Sequence, residues 1–176
     1  MHTFQPYPID LLELNPFTKI GKEWALVTAG NKNKYNTMTV SWGGVGVLWN
    51  KNVVYIFVRD SRYTKEFLDK TGEFTVNIPL AKVDKNIVAV CGTKSGRDLD
   101  KLEALNLTTV PGQTVSVPGI RELPLTLECK VIYRQEQNPE AIDKACFDRY
   151  YTQGTRNEGD YHTVYYGEIT KVYIAE

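Results

Sequence analysis

NTMTVSWGGVGVLWNKNVVYIFVRDSRYTKEFL, residues 36–68, reads as a strand, a run of glycines, a second strand and a helix in close succession. In its first seven residues Thr37, Thr39 and Ser41 share one face of a strand, while Met38, Val40 and Trp42 take the other. The glycines Gly43, Gly44 and Gly46 approach a dinucleotide fingerprint, but its third glycine position holds Trp49. The residues after it are branched and aromatic, so a strand follows where a dinucleotide fold needs a helix, and a Rossmann domain is excluded. The apolar run VVYIFVR stops at Arg59-Asp60-Ser61, and RYTKEFLDKTG then has a helical pattern with Gly72 where a C-terminal cap belongs.

Working outward, EWALVTAG and YNTMTVSW form a hairpin signal across the polar loop NKNK. EFTVNIPL returns to strand character, DKNIVAVCG reads as a short helix closed by Gly92, and DLDKLEAL as another opened by Asp98. TVPGQTVSVPGI is punctuated by proline and glycine and predicts extended segments and turns. LPLTLECKVIYRQ is the longest clear strand pattern, with Leu125, Leu127, Cys129, Val131 and Tyr133 alternating. PEAIDKACFDRYY is a helix by composition, and YHTVYYGEITKVYIAE is again strand-like. Many strands with a few short helices predict one mainly β domain over residues 1–176, a barrel with helical additions.

A chain of 176 residues has room for one proper core, and 42% hydrophobic with 24% charged residues is ordinary for a globular protein. The formal net charge of zero argues against nucleic acid or an anionic membrane surface as partner. The opening residues lack a basic stretch followed by an apolar core, so no secretory signal is expected, and no apolar run is long enough to span a bilayer. Cys91, Cys129 and Cys146 are odd in number and far apart, which predicts buried, reduced thiols in a cytoplasmic protein and no metal site. HExxH, GxSxG and Walker motifs are absent, and histidine is limited to His2 and His162. With so little proton-shuttling machinery, any redox or transfer chemistry falls to a cofactor.

Three segments carry binding potential, each beside a plain structural reading. A helix opening after Ser61, with Ser61 as cap, Thr64 one turn on and Arg59 or Arg62 nearby, is either a phosphate seat or an ordinary capped helix end. The hydroxyl row Thr37, Thr39 and Ser41 either faces a flat polar ligand or lies against solvent. The loop CGTKSGRD, residues 91–98, is either an anion nest permitted by Gly92 and Gly96 or a capped helix–helix connection.

Taken in order, NTMTVSWGGVGVLWNKNVVYIFVRDSRYTKEFL, GEFTVNIP and CGTKSGRDLDKLEALNL resemble the flavin reductase-like proteins with an FMN-binding split barrel, to which the flavoredoxins belong. The resemblance runs from about Leu14 to Ile174. It implies a split β-barrel, a homodimer, and FMN held noncovalently near the subunit interface. Carried over residue by residue, it implies that Thr37, Thr39 and Ser41 make polar contacts to the isoalloxazine and ribityl chain, with Met38 and Trp42 contributing backbone or packing. Arg59, Ser61 and Thr64 would hold the phosphate, Lys94 and Ser95 would close over the cofactor, and His162 would stand near the flavin edge as a candidate catalytic group. Between Cys129 and Tyr161 the match is loose, so this stretch is expected to shape a substrate pocket or cover the dimer interface. The activity implied is transfer of a hydride from NADH or NADPH to the flavin and onward to an acceptor. The rivals are an electron carrier that takes no nicotinamide, a barrel binding haem through His162, and a barrel with no cofactor.

Overall fold

The structure is a computed structural model describing residues 3–155 and 157–175, so His2 lies outside the described residues. Its elements in chain order are β1 (Phe4–Pro6), α1 (Pro16–Lys19), β2 (Ala25–Asn31), β3 (Lys34–Val40), β4 (Gly43–Leu48), β5 (Lys51–Arg59), α2 (Tyr63–Thr71), β6 (Glu73–Ile78), α3 (Lys85–Thr93), α4 (Lys101–Ala104), β7 (Thr109–Val110), β8 (Gly119–Ile120), β9 (Leu125–Glu136), α5 (Lys144–Tyr150) and β10 (His162–Ala175). One antiparallel sheet runs in the order β3-β2-β6-β9-β10-β5-β4, with β1 added to the far end of β10. The mainly β class with a few short flanking helices is as the sequence predicts.

The β2–β3 hairpin is as expected, with a tighter turn: Asn31 accepts hydrogen bonds from the backbone N–H groups of Asn33 and Lys34 through Oδ1, so pairing runs to Asn31↔Lys34. The glycine run does more than lead into a strand; it is itself β4, joined to β5 by Trp49 and Asn50 at φ 51° and 58°. Two consecutive left-handed residues give the turn the twist that a tight hairpin requires. β2 is buried on both faces. Ala25, Val27 and Ala29 look into the barrel with Met38, Val40, Ile56, Phe74, Val76, Leu127 and Tyr165, while Leu26 packs under α3 with Ile87, Val88 and Cys91.

Four expected boundaries move. α2 is capped at Arg62 and not at Ser61, because the Ser61 side chain is engaged elsewhere; its C-terminal cap at Gly72, φ 65°, is as predicted. Gly92 does not close its helix: α3 continues through it, and a Cβ there would sit 3.3 Å from Thr39 Cβ, so this glycine permits close helix-to-strand approach. α4 opens at Asp100 and not Asp98, since Asp100 Oδ1 accepts from the N–H groups of Leu102 and Glu103. The helix expected from Pro139 onward is broken into a 3-10 turn at Pro139–Ala141 and α5, which Asp143 restarts by accepting from Ala145 and Cys146. The longest strand is β10, with 14 residues, and not β9, with 12. Its alternation is interrupted at Thr170, the extra residue at the Ile169/Lys171 register shift, while at Tyr166/Gly167 the extra residue is Ile132 of β9.

The sheet curls so that its inner faces share one core, yet its terminal strands β3 and β4 do not pair, although only Ser41 and Trp42 separate them. That split in the wall is where the site lies.

Candidate functional site

Two cavities meet at Met38 and Arg62. The first, about 160 Å³, lies at the split, bordered by the end of β3 (Thr39–Trp42 by position) and by Phe57, Arg59 and His162. The second, about 370 Å³, lies between the start of α2 and the loop after α3, where Thr64, Thr93, Lys94, Ser95, Arg97 and Lys101 converge. A third hollow, of about 620 Å³, continues over Arg59, Ser61 and Asp160.

The hydroxyl row does not act as one surface. Thr37 is fully buried and shares a 2.9 Å hydrogen bond with Thr28, so it borders neither of the first two cavities. Thr39 donates to the Val88 carbonyl at 2.6 Å, tying β3 to α3, and meets the first cavity with its hydroxyl already engaged. The Ser41 hydroxyl alone has no partner among the described residues. Met38 is a core residue whose edge reaches both cavities. Trp42 is 37% exposed because β3 has ended at Val40; its ring lies 4.9 Å from His162 and meets Tyr150 edge-on at 5.2 Å.

Ser61 and Thr64 both border the second cavity, whereas Arg59 borders the first. The Arg59 guanidinium donates to the Asp160 carbonyl at 2.6 Å and lies over the rings of Trp42 and Tyr151, on the side of the first cavity. Ser61 gives its hydroxyl and its backbone N–H to the Asp160 carboxylate, at 2.6 and 2.9 Å. The Ser61 hydroxyl and backbone N–H therefore already serve an acid of the protein's own. Thr64 is buried on the second cavity, accepting a 2.8 Å hydrogen bond from Asn36 Nδ2. Lys94 and Ser95 border it from the end of α3 and the loop after it, with Ser95 Oγ accepting from the Arg97 N–H.

His162, at the start of β10, is buried and its Nδ1 is 2.7 Å from the Tyr151 hydroxyl. Gln137 Oε1 accepts from both the Tyr151 hydroxyl and the His162 backbone N–H. Burial first, and then the Arg59 charge, push the imidazole down to about 4. The ring is therefore neutral at pH 7. The segment 137–161 packs over the site through Tyr151, and through Tyr150 against Trp42, with Arg149 over the Tyr150 ring.

Sequence reasoning passed over Asn36 and Lys101, and offered Arg62 only as the alternative to Arg59. Arg62 donates to the Gly92 carbonyl and borders both cavities. Lys101 is 3% exposed. Its only signal was a cation in the first turn of a helix, where the dipole disfavours one. Among the described residues no cluster of three His, Cys, Asp or Glu side chains could hold a metal, and no helix is long and apolar enough to cross a membrane. Cys91 and Cys129 are buried as expected, and burial raises both thiols, Cys91 to about 11, whereas Cys146 is exposed, contrary to expectation.

Residues 17–176 match the flavin reductase like domain. The chain belongs to that family. Among relatives of this flavin reductase-like chain, an uncharacterized protein of Archaeoglobus fulgidus is 35% identical over 109 residues, 62% of this chain and 60% of its own. An uncharacterized protein of Pyrococcus abyssi is 30% identical over 106 residues, 60% of this chain and 59% of its own. The matched stretch thus spans about 60% of the length of these relatives. Flavoredoxin of Desulfovibrio vulgaris (Miyazaki F) superposes with a TM-score of 0.65 at 23% identity, covering 96% of this chain and 75% of its own. A putative flavin reductase with a split barrel domain from Shewanella frigidimarina gives 0.64 at 19%, covering 94% and 76%. At these identities the likeness is one of fold, and it identifies the flavin reductase-like sheet as a split barrel.

Proposed function

We propose that the protein is an FMN-binding oxidoreductase that takes a hydride from NADH or NADPH and passes electrons to a flavin or another acceptor. The observation that carries this reading is the junction of two unlike cavities at Met38 and Arg62, one walled by aromatic rings and the other by cations and hydroxyls. That pairing suits a molecule with a flat ring at one end and a phosphate at the other. The residues fit the cofactor, although not all those the resemblance implied. Met38, Thr39, Ser41, Trp42 and Arg59 border the ring end, while Ser61, Arg62, Thr64, Lys94 and Ser95 border the phosphate end. Arg59 and Ser61 shape the wall through Asp160, and Thr37 supports β3 from within.

FMN, when bound, supplies the hydride-accepting ring that no side chain here provides. The chain's own part is to position and to exclude water. Trp42, Phe57 and the ring of His162 wall the first cavity, and the Ser41 hydroxyl is available to it for hydrogen bonding. Neutral His162, tied to Tyr151, sets the shape of that wall at pH 7. Positioning of a hydride donor against an acceptor supplies much of the rate without acid–base help. The flavin reading is favoured over haem at His162 because that ring is buried against Trp42.

The chain is further proposed to act as one FMN-binding domain, in the cytoplasm and as a homodimer. Supporting the dimer, Tyr133, Tyr166 and Tyr55 form a half-exposed aromatic row across β9, β10 and β5 that ends at exposed Trp49. The test is the visible spectrum of the purified protein with added FMN, followed by anaerobic NADH and NADPH. A yellow protein that bleaches within a turnover-like time is the expected outcome. Yellow without bleaching by either nicotinamide would leave an electron carrier, and failure to take up FMN would overturn the reading.

A further inference from the structure

A hollow of about 760 Å³ lies apart from the split, between the turn after α1, the segment that follows β6 and the start of α3. None of the residues lining it lines the three cavities at the split. Its volume is that of a small-molecule site. Trp24 stands there at φ 67°, in the left-handed region where a bulky side chain is strained, and its indole is 40% exposed. Leu80, 48% exposed, joins it on the hollow, and Val83 and Val88 add to the apolar lining.

Around these apolar groups stand four lysines, Lys19, Lys22, Lys82 and Lys85, against a single acid, Glu23. Lys19 neutralises Glu23 at 2.7 Å and also donates to the Pro79 carbonyl at 3.1 Å, which clamps α1 to the segment after β6. The ammonium groups of Lys22, Lys82 and Lys85 have no hydrogen bond or ion pair among the described residues. Asp84, which lies between Lys82 and Lys85 in the chain, is committed to capping α3 through the Asn86 N–H. The chain as a whole has a formal net charge of zero, so this excess of cations is local to the hollow and not part of a general field. Lysine stems lie along apolar surface and keep their charges at its edge. An apolar cleft ringed in this way is complementary to a molecule that is apolar in its body and negative at one end.

We propose that this hollow is a second binding site, for a small organic anion whose ring-bearing body packs on Trp24 and whose acidic group meets Lys22, Lys82 and Lys85. A concave cleft of this volume suits a small molecule better than the flat surface of a bilayer or of a folded partner. The site stands one helix away from the ring cavity. Val88 lines the hollow while its carbonyl accepts the Thr39 hydroxyl at 2.6 Å, and Thr39 borders the first cavity. No flavin is needed to form it, so this inference does not rest on the flavin reading.

The test is fluorescence titration of the full chain with anilinonaphthalene sulfonate, an aromatic anion, and with phenylnaphthylamine, the same ring system without the sulfonate. The wild type is expected to bind both. Lys22→Met, Lys82→Met and Lys85→Met combined should lose about 10-fold in affinity for the anion, the worth of three exposed ion pairs, and change less than about twofold for the neutral probe. Trp24→Gly should weaken both probes, and its fold should hold because glycine accepts the left-handed backbone there. Should it not, the lysine variant, altered only at exposed positions, still carries the comparison. Equal losses for the two probes in the lysine variant, or no loss for the anion, would overturn an anion as the ligand. Probe binding untouched by both variants would place the probes on another apolar face and overturn the site. A chain that takes up FMN but neither probe would overturn this site alone and leave the flavin reading standing.

Discussion

Burial beneath Trp42 and Tyr151 and the nearby Arg59 charge hold the His162 imidazole at about 4 in the fold, against an ordinary value of about 6.5 in an unfolded chain. Above pH 6.5 both states are neutral and the group contributes no pH dependence. As pH falls from 6.5 towards 4 the unfolded chain takes up a proton that the folded chain refuses, so stability is lost across that window. The shift corresponds to about 3 kcal/mol by pH 4 at 1.36 kcal/mol per unit. Urea denaturation of the wild type and of His162→Gln between pH 7 and 4 should show a loss in the wild type that exceeds the variant's by that order. Parallel curves would mean that His162 is protonated in the fold. The same residue shows how sequence reading succeeds and stops. The sequence names His162 as a candidate site group, but its partner Tyr151 comes from a segment whose placement no periodicity announces.

Among the elements, β10 carries the most. It pairs with β9 on one side and with β5 and β1 on the other, and it delivers His162 to the site from its first residue. Gly167 makes its passage across the barrel possible. A Cβ there would lie 2.4 Å from Phe74 Cζ and 2.9 Å from Cys129 Cβ, both rigidly placed in the core. Gly167→Ala should therefore destabilise by about 1–3 kcal/mol through overpacking, read as a lowered urea midpoint at unchanged slope. An unaltered midpoint would mean that the Phe74 ring has room to turn away. The extra residue Thr170, at the Ile169/Lys171 register shift, is what interrupts the alternation of β10. A strand whose side chains change face part-way has no single alternation to count.

At the scale of the whole molecule, the outer face of β4, β5, β9 and β10 is more apolar than a solitary barrel needs. Val47 and Trp49 are 72% and 65% exposed, and Tyr133 is 39% exposed beside the half-buried Tyr55 and Tyr166. Exposed patches of this kind mark association surfaces. Sedimentation equilibrium should give a dimer for the wild type and a monomer for Trp49→Glu, because a carboxylate on such a face would be buried without a partner. A wild-type monomer would overturn the proposed dimer, and a dimer surviving in Trp49→Glu would place its interface on another face.

What the sequence by itself determined was everything that repeats at short range. The β2–β3 hairpin, the strand of residues 51–59, α2 with its left-handed Gly72 cap and the mainly β class all follow from alternation, capping and turn chemistry within about a dozen residues. Family resemblance extended this to a split barrel, because the order of three such segments is shared. The tertiary structure alone decided which polar side chains are free. Thr37, Thr39 and Ser61 look available in the sequence but are engaged by Thr28, Val88 and Asp160, the last 99 residues away from Ser61. Lys101 looks like a solvated helix residue but is buried without a close counter-charge. A hydroxyl or an ammonium binds whatever folding brings within hydrogen-bond reach, and that distance is set by the packing of strands and helices remote in the chain.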